Sequence, residues 1–146
     1  MSTEENKALL RRSVEEVFSA QGDLDVADEI YAPNYVGHNP LDPEDARGPE
    51  GAKEQARMYR SAFPDVRLSI EEQVAEGDKV VTRWIGSGTH QGEMMGIAPT
   101  GNQIRVDGIT ISRIQDGKVV EDWELFNALG LMQQLGGVPT PEEAQA

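Results

Sequence analysis

Between Asp116 and Gly136 the chain reads DGKVVEDWELFNALGLMQQLG, with three acids, Glu121, Asp122 and Glu124, crowded around Trp123. After the Asp-Gly turn the segment has strand character. Alternation then gives one face with Val119, Glu121, Trp123 and Leu125, and another with Val120, Asp122, Glu124 and Phe126. Bulk alone would put Trp123 and Leu125 in the core and leave the acids in water. The opposite arrangement turns Asp122 and Glu124 into a pocket. There, burial and mutual repulsion would each disfavour the charged form and raise a carboxyl pKa toward neutrality. A carboxyl group tuned that way can take a proton from carbon and give it back.

Few other side chains could share such work. The chain has two histidines, His38 in GHNP and His90 in GTHQG. Both are expected in loops near a pocket mouth. Trp84 shares strand parity with His90, Thr82 and Gly86 and is a candidate aromatic wall. Met94, in the loop QGEMMGIAPTG, is a soft side chain suited to an adaptable contact. Asn127 follows the acidic strand and could orient a water or a ligand. No metal site is expected, because two isolated histidines and scattered carboxylates lack ligand spacing.

Composition sets the frame for these residues. The 146-residue length suits a single domain over residues 1–136, with residues 137–146 as a polar C-terminal tail. Acids outnumber bases 26 to 13, for a formal charge of −13. Nucleic acid and anionic membrane are therefore excluded as partners, since phosphate binding needs clustered Lys and Arg. The absence of cysteine removes disulfides and thiol nucleophiles. The opening MSTEENKALLRRS is too polar for a signal peptide, and no apolar run reaches the ~20 residues of a membrane span. A cytoplasmic protein is expected.

The elements that must position the acids can be read in order. Ser2-Thr3-Glu4-Glu5 has the form of a capping box, and Leu9, Leu10, Val14, Val17 and Phe18 follow at helical spacing to about Ala20. Asp23 can cap a short second helix through DVADEIY. The proline-dense APNYVGHNPLDPEDARGP is expected to be a loop. Pro49 suits the start of a third helix, which Pro64 ends. Strands then run through VRLSIEEQVAE, KVVTRWIGSGT, NQIRVDGITISRIQ and KVVEDWELF, with turns at Gly77-Asp78 and Asp116-Gly117. Helices followed by an antiparallel meander make an α+β fold. Its sheet must curl around the helices, with Gly86, Gly88 and Gly108 available for bending, and it leaves an apolar cavity at its wide end.

Four segments together, YAPNYVGHNP, GPEGAKEQARMYRSAFPD, GSGTHQGEMMGIAPTG and DGKVVEDWELFNALGLMQQLG, resemble the SnoaL-like polyketide cyclases and ester cyclases. The likeness runs from about Leu9 to Gly136. It implies the cone-shaped α+β barrel shared with ketosteroid isomerase and nuclear transport factor 2. It also implies cofactor-free aldol cyclisation of a small hydrophobic carbonyl compound. By position Glu124 would be the acid/base and Asp122 its tuning neighbour. Thr110 stands where the family has a histidine, and Asp122 stands where the family often has another. Thr110 can donate a hydrogen bond but cannot exchange protons near pH 7. Thr110, His38, His90, Trp84, Asn127 and Met94 would contact substrate. Two rivals share this fold: an epoxide-hydrolase-like hydrolase or isomerase using Glu124, and a non-catalytic ligand-binding or dimerisation module. A homodimer would form through the convex sheet face, with Val119, Trp123, Leu125, Ile109 and Ile111 as its surface.

Overall fold

The computed structural model describes residues 2–137; residues 138–146, which hold nearly all of the expected tail, lie outside them. The first helix, α1, spans Thr3–Arg12, and the capping box forms as expected: Glu5 N–H donates to Ser2 Oγ while Ser2 N–H donates to Glu5 Oε1. The helix does not run unbroken to Ala20. At Ser13–Val17 it widens into a π-turn, a feature that costs hydrogen-bond geometry and tends to occur at functional sites. Here it points Ser13, Val14 and Phe18 toward the interior cavity. Asp23 caps a 3-10 turn at Leu24–Val26, which leads into α2, Ala27–Ile30.

The proline-dense segment is the main departure from expectation. Its first part is a strand, β1 (Tyr31–His38), followed by the short β2 (Ala46–Arg47) and α3 (Gly48–Ala62). Pro33 is tolerated because β1 pairs irregularly between Tyr31 and Val36, where a missing N–H interrupts no ladder bond. The expected strands follow as β3 (Arg67–Glu76), β4 (Lys79–Thr89), β5 (Gln103–Gln115) and β6 (Lys118–Phe126), and a short α4 (Ala128–Gln134) closes the described chain.

Sheet order is β2-β1-β6-β5-β4-β3. From β3 to β6 it is the expected antiparallel meander, but β1 lies parallel to β6, so the sheet is mixed. It curves without closing into a barrel. No helix among the described residues is long and apolar enough to cross a membrane.

Two apolar clusters hold the sheet to the helices. One gathers Leu9, Leu10, Val17, Ile30, Ala52, Val80 and Val119; the other gathers Ala62, Phe63, Met94, Ile104, Val106 and Leu131. Each fully buried large aliphatic contributes roughly 2 kcal/mol. Val119 corrects an expectation. It is fully buried and takes no part in the convex surface. The cause is an irregularity in β6: Ile114 pairs with Val119 and Arg113 with Glu121, which leaves Val120 as the extra residue. An added residue reverses strand parity, so Val119 and Val120 both point inward. Beyond it, Asp122 and Glu124 take the inner face while Trp123 and Leu125 take the outer.

Candidate active site

The space between the two clusters is a cavity of about 100 Å³. Asp122, Glu124, Thr110, Thr82 and Trp84 border it from the sheet, Tyr31, Tyr35 and Gly37 from β1, and Ser13, Val14, Phe18 and Tyr59 from the helices. A second compartment of about 60 Å³, lined by Phe63, Val66, Ile104, Val106 and Phe126, adjoins it. Phe18, Tyr59, Leu68 and Trp84 border both. One end of the combined space is therefore acidic and the other is oil-like.

Asp122 is buried at the floor. Tyr35 donates its hydroxyl proton to Asp122 Oδ2 over 3.0 Å. Gly37 makes this contact possible. It pairs with Asp122 across β1 and β6, and a Cβ on Gly37 would come within 2.3 Å of the Tyr35 oxygen. Burial pushes the Asp122 carboxyl up to about 6, while the polar side chain of Ser112, its cross-strand partner, and the hydrogen bond from Tyr35 hold it down.

Glu124 stands one strand step further on, opposite Thr110. Its pKa is raised to about 7, first by desolvation and then by the charge of Asp122. Asn39 secures it: the amide Nδ2 donates to Glu124 Oε2 over 2.7 Å and to the Tyr59 hydroxyl over 2.9 Å. The orientation of that amide is fixed, because its Oδ1 accepts from the backbone N–H of Leu41 at 2.8 Å. Trp84 donates its indole N–H to Thr110 Oγ1 at 3.0 Å. Gly108 pairs with Trp84 across β4 and β5, and a Cβ there would sit 2.2 Å from the indole. This glycine makes room for the aromatic wall, whereas the sequence suggested a point of bending.

The structure thus brings Glu124, Asp122, Thr110 and Trp84 together. Of the other expected contacts, His38 shares the cavity edge and the rest lie elsewhere. His38 ends β1 and borders the cavity, but both ring nitrogens are engaged, by Asp45 at 2.9 Å and Glu121 at 2.7 Å. Its ring stacks on Trp123, which belongs to the outer face, and Glu121 first and Asp45 second raise its pKa. His90 is fully buried beside Phe63, accepts from the Thr100 backbone N–H, and is absent from the cavity lining. It ties its loop together. Asn127 caps α4, where its Oδ1 accepts from Gly130 N–H, instead of facing the cavity. Met94 packs in the second apolar cluster and edges an outer groove that Asn39 and Gln55 also line.

Sequence reading missed Tyr35, Asn39 and Tyr59. The first two fall in the segment taken for a loop, and Tyr59 sits on a helix read only for its length. The signal that could have found the first two is the inward parity of Tyr35, Gly37 and Asn39, had Tyr31–His38 been taken as a strand.

Comparison with known proteins agrees with this architecture. The family model for SnoaL-like polyketide cyclases matches residues 8–135. The aklanonic acid methyl ester cyclase AcmA of Streptomyces galilaeus is 34% identical over 141 residues, covering 94% of this chain and 94% of that protein. The nogalonic acid methyl ester cyclase of Streptomyces nogalater is 28% identical over 125 residues, covering 84% and 91%. Among solved structures, TsrD from Streptomyces laurentii superposes with a TM-score of 0.83 at 30% identity, covering 94% of this chain and 99% of TsrD.

Proposed function

Because the chain belongs to the SnoaL-like polyketide cyclase family, we propose that it closes a ring in a hydrophobic polyketide ester by an intramolecular aldol reaction. Glu124 takes a proton from a carbon beside a carbonyl, and the electron pair moves to the carbonyl oxygen as an enolate. The enolate carbon attacks a second carbonyl carbon, and that oxygen collects the proton. Asp122 tunes Glu124 by its charge, Thr110 orients the substrate from the sheet, and Trp84 walls the ring system. No metal or cofactor is required for these steps.

The observation that carries this reading is the carboxyl of Glu124 in a cavity, with its pKa lifted to about 7. A base poised near the working pH balances ionised fraction against basicity. The lining supports an uncharged substrate, since no Lys or Arg among the described residues borders the cavity. A free carboxylate would meet Asp122 and Glu124 unpaired. Methyl esters, as in the names of the relatives, avoid that penalty.

The test is cyclisation of polyketide methyl esters, aklanonic and nogalonic acid methyl esters first, by wild type and Glu124→Gln. Turnover by wild type and a loss of at least about a hundredfold in the variant are expected. Equal turnover by both would show that Glu124 is not the base, and no turnover by wild type would reduce the protein to a binder.

The same proposal includes a homodimer through the convex face. Ile109, Ile111, Trp123 and Leu125 are exposed there, paired across β5 and β6 as Ile109 with Leu125 and Ile111 with Trp123. A contiguous apolar patch of this kind favours burial against a partner surface.

A further inference from the structure

Aldol chemistry in this cavity needs a donor to the oxygen on which negative charge develops, and the position where the family has a histidine holds Thr110. Three phenols border the cavity, and their protons have different fates. Tyr35 gives its proton to Asp122. Tyr31 is paired with the buried Ser13 hydroxyl. Tyr59 is different: it accepts from the Asn39 amide, whose orientation Leu41 fixes, so its oxygen is held while its own proton is uncommitted among the described residues. The indole N–H of Trp84 is already spent on Thr110.

We infer that Tyr59 is the catalytic hydrogen-bond donor to the enolate oxygen, held in place by Asn39, which also holds the base Glu124. This rests on the reading of Glu124 as the base. One amide nitrogen touches both groups, at 2.9 Å for Tyr59 and 2.7 Å for Glu124, and so sets the spacing of donor and base. Tyr59 stands on α3, while Glu124 rises from β6. Sharing one amide nitrogen makes the two oxygens close neighbours, so a carbonyl compound seated against them meets the base at its α-carbon and the donor at its oxygen. Tyr59 also borders both compartments, so the oxygen it binds sits where the acidic end meets the apolar one. A phenol is a stronger donor than the Thr110 alcohol, and burial with the nearby Glu124 charge keeps it protonated, well above the ordinary phenol range. Asn39 is a positioning residue in this arrangement.

The probe is β-tetralone, a ketone with acidic α-protons, with tetralin as its carbonyl-free counterpart. Wild type is expected to bind both and to exchange the α-protons of β-tetralone for deuterium faster than buffer does. Tyr59→Phe should slow that exchange by roughly a hundredfold, the usual effect of deleting one oxyanion donor. It should also weaken β-tetralone binding while leaving tetralin binding unchanged, which a merely structural role would not do. In wild type the infrared carbonyl stretch of bound β-tetralone should fall relative to water-free solvent, and in Tyr59→Phe it should return. Unchanged exchange in Tyr59→Phe, equal losses for both probes, or an unshifted wild-type carbonyl band overturns the inference. Failure of the underlying reading is distinct: Glu124→Gln would then exchange as fast as wild type, or wild type would bind neither probe.

Discussion

Tyr35 donates its hydroxyl proton to Asp122 over 3.0 Å from a position two residues before Gly37, the glycine that pairs with Asp122. The tyrosine folds back over the bare glycine to reach the acid. That contact helps decide how much charge Asp122 carries, and the charge of Asp122 helps set the pKa of Glu124.

Removing the Tyr35 hydroxyl should therefore act on Glu124 from a distance. In Tyr35→Phe, Asp122 loses a bond to its ionised form, so its pKa rises above about 6. A less charged Asp122 repels Glu124 less, and the Glu124 pKa falls from about 7. Asp122→Asn should lower it further. A pH–rate profile checks both, with the rising limb expected to move to lower pH in each variant.

Gly37→Ala tests the same contact through sterics. The added methyl would meet the Tyr35 oxygen at 2.3 Å, so the ring must move. A cost of about 1–3 kcal/mol is expected, read as a drop in unfolding midpoint. Combining Gly37→Ala with Tyr35→Phe should recover part of that loss, because the clashing oxygen is gone.

Stability should reveal what holding the acid in the cavity costs. Glu124 has a folded pKa of about 7 against an ordinary 4.5, so its neutral form is the one the fold accommodates. That contribution is fully present below the unfolded pKa and is lost as pH rises through about 7. Glu124→Gln should match wild type near about pH 4 and exceed it by on the order of 2 kcal/mol above about pH 8. Chemical denaturation at the two pH values measures the difference.

Much of the fold was legible in the sequence. Helical spacing, Pro49 and Pro64, and the two turns at Gly77-Asp78 and Asp116-Gly117 located α1, α3 and the meander β3–β6. What stayed hidden was non-local. Pro33 made β1 look like a loop, because a pairing irregularity that accommodates proline is a property of two strands together. The irregularity in β6 that buries Val119 likewise arises only in pairing with β5. Alternation favoured Trp123 and Leu125 as core, since it measures bulk and not which side of the sheet the helices cover. Glu124 was placed inward by family position. His90 was misjudged because a buried imidazole and a ligand-binding one look alike in sequence.

The convex face offers a separate prediction. Trp123→Glu and Leu125→Glu place a charge among Ile109, Ile111 and the partner's copy of the same patch, and burial of an unpaired charge opposes association. Light scattering at micromolar concentration should give a dimer for wild type and a monomer for either variant. A wild-type monomer removes the dimer proposal and leaves the cavity chemistry untouched.

The most direct measurement is the pH dependence of α-proton exchange in β-tetralone by wild type and Glu124→Gln. With Glu124 as a cavity base, the wild-type rate should rise through about pH 7 with a single ionisation, and the variant should lose that ionisation and nearly all the rate above buffer. A variant that keeps both the rate and the ionisation near pH 7 would show that another group does the work.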